Sequence, residues 1–195
     1  MTRNETLGAL IVHGSYGTPE ENWFPWLRTR LEKAGISVAA PHFPTPEGQD
    51  LDSWRQVLDT EVGQITEGCL LFGHSLGVAF LLDVLERSTV QAGALFSASG
   101  FTGLLGLDEF DSVNRTFVER EFDWPRIRSA VRQSFVYQGE DDPYVPQRWG
   151  QFLTEALGAE RRVIPKGGHL NLEAGYDHFD LLWKDVEKVL PKPPL

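Results

Sequence analysis

Ser75 stands in Gly73-His74-Ser75-Leu76-Gly77, a G-x-S-x-G pentapeptide with an apolar run, Cys69 to Phe72, before it. After it Val78, Leu81, Leu82 and Leu85 recur at helical spacing. Strand, sharp turn and helix together are the setting that projects a serine hydroxyl above a sheet. A hydroxyl is a weak nucleophile at neutral pH and needs a base to take its proton. Imidazole fits that task, and a carboxylate behind the ring fixes its orientation and stabilises its cationic form. The remaining chain offers both groups after Ser75, in the order acid then histidine: Asp141-Asp142-Pro143 and Gly167-Gly168-His169. The chemistry such a set performs is acyl transfer through a covalent intermediate.

Four other histidines compete with His169. His74 precedes the serine, so its ring should point away from it and support packing or a loop. His13 could buttress the loop after the first strand, and His42 and His178 read as surface or satisfied core residues. No pair among them has metal-ligand spacing. Of the two adjacent acids, Asp142 is the better candidate, because Pro143 restrains its backbone; Asp141 is expected to accept backbone hydrogen bonds within the same turn. A developing oxyanion also needs N–H donors. Leu76, directly after Ser75, supplies one, and Ser15 a second from Gly14-Ser15-Tyr16, with Tyr16 as the neighbouring option.

The elements that would hold these residues are readable from apolar periodicity. Ala9–Val12, Ile36–Ala40, Cys69–Phe72, Gly93–Ser97, Ser134–Tyr137 and Arg161–Ile164 read as six short strands. Helical faces lie between them: Trp23 to Ala34 closed by Gly35, Leu51 to Ile65, the helix after Ser75, a short helix opened by Trp124-Pro125, Trp149 to Ala156, and Phe179 to Leu190. Alternating strands and helices predict a doubly wound, mainly parallel six-stranded sheet with helices on both faces. In such a sheet chemistry gathers at the carboxyl ends of the strands, where Ser75, Asp142 and His169 fall. The pattern lapses between residues 99 and 122, where Phe101, Leu104, Leu105, Phe110 and Phe117 are scattered among acids; this insertion reads equally as a cap over a pocket or as a surface excursion.

The 195 residues are expected to form one domain, residues 1–195. With 28 acidic and 18 basic residues the formal charge is −10, which disfavours nucleic acid and anionic membranes as partners. Cys69, the only cysteine, excludes an internal disulfide and reads as a buried, inert thiol. Met1 to Thr6 carries no apolar leader, no run is long enough to span a membrane, and Pro191-Lys192-Pro193-Pro194 should fray; a cytoplasmic location is expected.

These motifs in combination resemble the α/β-hydrolase superfamily, and within it the small serine hydrolases related to retinoblastoma-binding protein nine. The likeness runs from about Leu10 to Leu190. It rests on Ile11-Val12-His13-Gly14, the Ser75 pentapeptide, Trp124, Asp141-Asp142-Pro143-Tyr144-Val145-Pro146 and Gly168-His169. The resemblance implies a compact α/β-hydrolase fold and a catalytic Ser75, Asp142 and His169, with no cofactor and no metal. The L-x-C-x-E docking motif of the retinoblastoma-binding member is not matched around Gly68-Cys69-Leu70, so that protein partner does not carry over. The expected substrate is a small-molecule acyl ester, with amide or peptide cleavage, or non-catalytic ligand binding, as alternatives.

Overall fold

The computed structural model describes residues 8–190. The expectations for Met1 to Thr6 and for Pro191 to Pro194 lie outside the described residues. Six strands, β1 (Ala9–Val12), β2 (Val38–Ala39), β3 (Leu70–His74), β4 (Ala92–Ala98), β5 (Val131–Gly139) and β6 (Glu160–Ile164), alternate with helices. The helices are α1 (Phe24–Lys33), α2 (Leu51–Glu61), α3 (Leu76–Arg87), α4 (Asp108–Val118), α5 (Trp124–Ser129), α6 (Gln147–Leu157) and α7 (Asp180–Val189), and a short 3-10 turn spans Leu172–Ala174.

The strands form one sheet in the order β2-β1-β3-β4-β5-β6, and all five pairings are parallel. Winding therefore reverses between β1 and β3, the point in a doubly wound sheet where a crevice opens at the strand ends. Both faces are covered, so both alternations along β1 and β3 are buried. Leu10, Val12, Leu71, Leu95 and Val136 pack on the side of α2 to α6. Ala9, Ile11, Phe72, Phe96 and Phe135 pack under α1 and α7. Register places Phe72 beside Phe96 and Phe96 beside Phe135. Their rings stack at 4.6 and 5.1 Å, tying the three central strands together.

Several boundaries differ from the sequence reading. The edge strand β2 pairs over only two residues, whereas β5 extends to nine, its exposed Arg132 and Gln133 having no apolar signature. Helix α2 stops at Glu61, and Ile65 joins the same core from the following loop. The 99–122 segment contains α4, which the sequence reading did not predict. Phe117 on α4 is buried against Trp54, at a ring distance of 4.9 Å. Asp111 at its start accepts the N–H groups of Leu105 and Gly106, each at 2.8 Å, folding the preceding loop onto the helix.

Where α3 begins it lies against the end of β1. A Cβ added at Gly77 would sit 2.4 Å from the carbonyl oxygen of Val12 and 2.6 Å from that of His13. These are backbone atoms at the buried end of β1 and just beyond it, and a flexible side chain's freedom to move aside is not available to them. Gly77→Ala is therefore expected to lower the unfolding free energy by about 2 kcal/mol, the scale of a forced overpacking, measured by urea denaturation beside wild type.

Candidate active site

Ser75 occupies the single residue between β3 and α3, with φ 55° and ψ −123°. A side chain in that region is strained, and the surrounding elements must hold it there. They do so through the Ser75 N–H, which donates to the Ala98 carbonyl at 2.9 Å. Ser75 faces a cavity of about 370 Å³ whose wall also carries Ser15, Tyr16, Phe110, Tyr144 and His169.

Asp142 backs His169. The His169 Nδ1 lies 2.9 Å from Oδ2 and 3.1 Å from Oδ1 of a carboxylate that is 1% exposed. With Nδ1–H donated to the acid, Nε2 is the basic atom of the ring. Asp142 Oδ1 accepts two further bonds, from the N–H of Tyr144 (3.0 Å) and of Val145 (2.9 Å). Burial pushes the Asp142 carboxyl up, but the His169 bond and charge, with the two backbone donors, hold it below the ordinary carboxylate range.

Asp141 makes a different contact from the one expected. The bonds of its own turn are taken by Asp142, whose inward oxygen lies over both N–H groups. The exposed Asp141 instead reaches across to the N–H of Gly168 at 2.9 Å. Backbone contact closes the same gap: a Cβ at Gly139 would fall 2.0 Å from the Gly168 carbonyl oxygen. The end of β5 and the histidine loop are thus clamped together, which brings His169 to Asp142.

Other side chains grip this loop from below. His74 Nε2 donates to the His169 carbonyl at 2.8 Å, Ser99 Oγ to the same carbonyl at 3.2 Å, and Trp23 Nε1 to that of Leu170 at 3.1 Å. His74 therefore supports the loop, as expected, although it also touches the cavity wall. Burial, reinforced by nearby His169, pushes its imidazole down to about 3. His13 buttresses the first loop: its Nδ1 donates to the Gly14 carbonyl (2.8 Å) and its Nε2 accepts the Phe43 N–H (3.0 Å). Burial takes it down to about 4, against the opposing effect of the Gly14 bond. His42 and His178 are exposed, and His178 pairs with Asp177.

Of the three backbone donors considered, Tyr16 is committed elsewhere, giving its N–H to Thr45 Oγ1 at 2.6 Å. Among the described residues no acceptor takes the N–H of Ser15 or Leu76. The sequence reading assigned nothing to Gln49 or Asn114, yet both bond to Ser15. Neither lies in a recognisable motif. Among the described residues no group of three or more His, Cys, Asp or Glu side chains is arranged to hold a metal ion, and no helix is long and apolar enough to cross a membrane.

An all-parallel, doubly wound sheet with a strained serine at a strand-to-helix turn, and an acid-backed histidine beyond it, defines an α/β hydrolase. Residues 9–189 match the serine hydrolase family, and the chain belongs to it. It is 27% identical over 179 residues to YdeN of Bacillus subtilis, a protein named as a hydrolase, covering 89% of this chain and 90% of that protein. It is 28% identical over 164 residues to the serine hydrolase RBBP9 of Rattus norvegicus, covering 83% and 86%. The crystal structure of YdeN superposes with a TM-score of 0.85 at 24% identity, over 93% of this chain and 97% of that one. Est1E from Butyrivibrio proteoclasticus shares the fold at TM-score 0.68 and 18% identity, over 95% and 88%.

The buried histidines make stability depend on pH. Unfolded, His13 and His74 take up a proton below about 6.5, whereas folded they stay neutral down to about 4 and about 3. Between those limits the unfolded chain binds more protons, so stability falls as pH falls. Each histidine contributes a slope of up to about 1.4 kcal/mol per pH unit. Urea unfolding from pH 7 to 4.5 should follow this fall, and His13→Gln should make it shallower.

Proposed function

We propose that the protein is a cofactor-free serine esterase acting on small or medium acyl esters, with Ser75 as nucleophile, His169 as general base and Asp142 as its orienting acid. One observation carries the reading: an imidazole bonded at 2.9 Å to a buried carboxylate lines the same cavity as a serine held at φ 55°. His169 Nε2 takes the hydroxyl proton as Ser75 Oγ attacks the ester carbonyl, and the tetrahedral oxyanion lies toward the N–H groups of Leu76 and Ser15. Collapse expels the alcohol, which receives the proton from His169, and leaves an acyl-serine. Water, deprotonated by His169, then releases the acid and restores the hydroxyl. Membership of a hydrolase family supports the reaction type, while the choice of ester over amide rests on this proposal alone.

A fluorophosphonate probe and a panel of p-nitrophenyl esters and aminoacyl amides test it. Wild type should label and turn over esters; Ser75→Ala should lose labelling and at least about 10³-fold in kcat. Asp142→Asn should cost about 10²–10⁴-fold by favouring the wrong tautomer. Asp141→Asn, removed from the ring, should cost less than about 10-fold. Undiminished turnover by Ser75→Ala would overturn the assignment, and a folded wild type that neither labels nor hydrolyses would make the chain a binding protein. Faster cleavage of the amides would transfer the same groups to that leaving group.

The 99–122 segment is proposed to shape the acyl site through one residue. Phe110 lines the cavity, 5.4 Å from the Tyr144 ring, whereas Phe117 is part of the core. Phe110→Ala should shift the preferred acyl-chain length with little loss of stability. Phe117→Ala should lower stability by about 3–5 kcal/mol and leave the preference unchanged. Chain-length profiles and urea melts of the two variants check this.

A further inference from the structure

We propose that Gln49 and Asn114 are positioning residues that aim the Ser15 N–H into the oxyanion site, which makes α4 a strut of the catalytic loop. The inference rests on the esterase reading above and names residues that reading does not use.

The bonding runs in one direction throughout. The Tyr16 N–H donates to Thr45 Oγ1 (2.6 Å), and the Thr45 hydroxyl donates to Gln49 Oε1 (2.5 Å). The two Gln49 Nε2 hydrogens are shared among three acceptors, Ser15 Oγ (3.0 Å), Asn114 Oδ1 (3.0 Å) and the Val113 carbonyl (3.1 Å). The Ser15 hydroxyl then donates to Asn114 Oδ1 at 2.5 Å. Every hydroxyl hydrogen in the circuit is spoken for. The Ser15 side chain therefore has no proton to offer a substrate, and the Tyr16 N–H is consumed. Between Ser15 and Tyr16, the backbone N–H left without a protein acceptor is that of Ser15, and the side chain of the same residue is what the network holds.

Burial makes the arrangement specific. Gln49 is 8% exposed and Asn114 1%, so each amide depends on these partners in place of water. Tyr16, at φ 60°, keeps a conformation unfavourable to a non-glycine residue, and the Thr45 bond is made there. The far end of the network is itself anchored. Thr116 on α4 accepts the Leu51 N–H at 3.0 Å, and Phe117 on the same helix is in the core. A helix fixed at those points cannot swing away as a free lid without releasing Ser15.

Gln49→Glu keeps the side-chain shape and removes both N–H donors; Thr45→Val keeps the volume and removes the hydroxyl. Each variant, with Thr45→Ser as the conservative rescue, is assayed for kcat and KM on p-nitrophenyl acetate and for Ki of an aryl trifluoromethyl ketone, whose hemiketal oxyanion mimics the tetrahedral state. Loss of a complete oxyanion donor costs about 10²–10³-fold, so a mis-aimed one should cost about 10–100-fold in kcat. Ki should weaken by the same factor, KM should stay within about twofold, and Thr45→Ser should recover most of both. A structural role alone would not couple kcat to Ki. The proposal is overturned if folded Thr45→Val or Gln49→Glu keeps wild-type kcat, or if kcat falls while Ki does not. If wild type lacks turnover dependent on Ser75, the esterase reading fails, and this inference with it; an active wild type with indifferent variants refutes the inference alone.

Discussion

The arrangement depends on how closely α3 can approach the end of β1. Gly77 lies against the carbonyls of Val12 and His13 at distances that exclude any side chain. That contact joins the two strands between which the winding reverses, so the loops after β1 and β3 meet at one crevice. It also lies beside the turn at Ser75, where φ is positive and the residue's N–H is taken by Ala98. The strained position of Ser75 thus follows from a backbone packing constraint.

The histidine loop is held in a different way, by polar bonds. Asp141, His74, Ser99 and Trp23 each bond to backbone of Gly168, His169 or Leu170. Burial divides the histidines into two kinds. His13 and His74, pushed well down, remain neutral donors and acceptors and act as struts. His169 differs in its partner: its ring meets the buried Asp142 carboxylate, which the imidazole bond and two backbone N–H groups hold below the ordinary carboxylate range. The same side chain thus serves as a strut at 13 and 74 and, in the proposed reaction, as the base at 169.

Much of this was legible in the residues. Strands buried on both faces read as continuous apolar runs, and the two glycine-flanked motifs mark the loops that must pack closely. The choice between the adjacent carboxylates rested on Pro143 restraining Asp142, and Asp142 is the one bonded to His169. The contact of Asp141 was not legible, since its partner Gly168 lies 27 residues away and only the assembled sheet brings the two loops together. Of the two edge strands β6 falls where it is expected, whereas β2, held on one side alone, pairs over a shorter span than its sequence suggests.

Helix α4 escaped sequence reading for reasons that bear on its role. Leu107 at its N-cap offers no side-chain bond, so the usual start signal is missing. Its buried face mixes Phe117 and Val118 with Asp111 and Asn114, although Phe110, Val113, Phe117 and Val118 keep helical spacing. The two polar residues are the ones that bond to other segments, Asp111 to the preceding loop and Asn114 to Ser15 and Gln49. A helix selected only to cover the core would gain from apolar residues there, since a buried amide gives little net stability even when satisfied. Asn114 on that face holds the Ser15 side chain and Asp111 holds the preceding loop, so a missing start signal, and not a missing period, hid the helix.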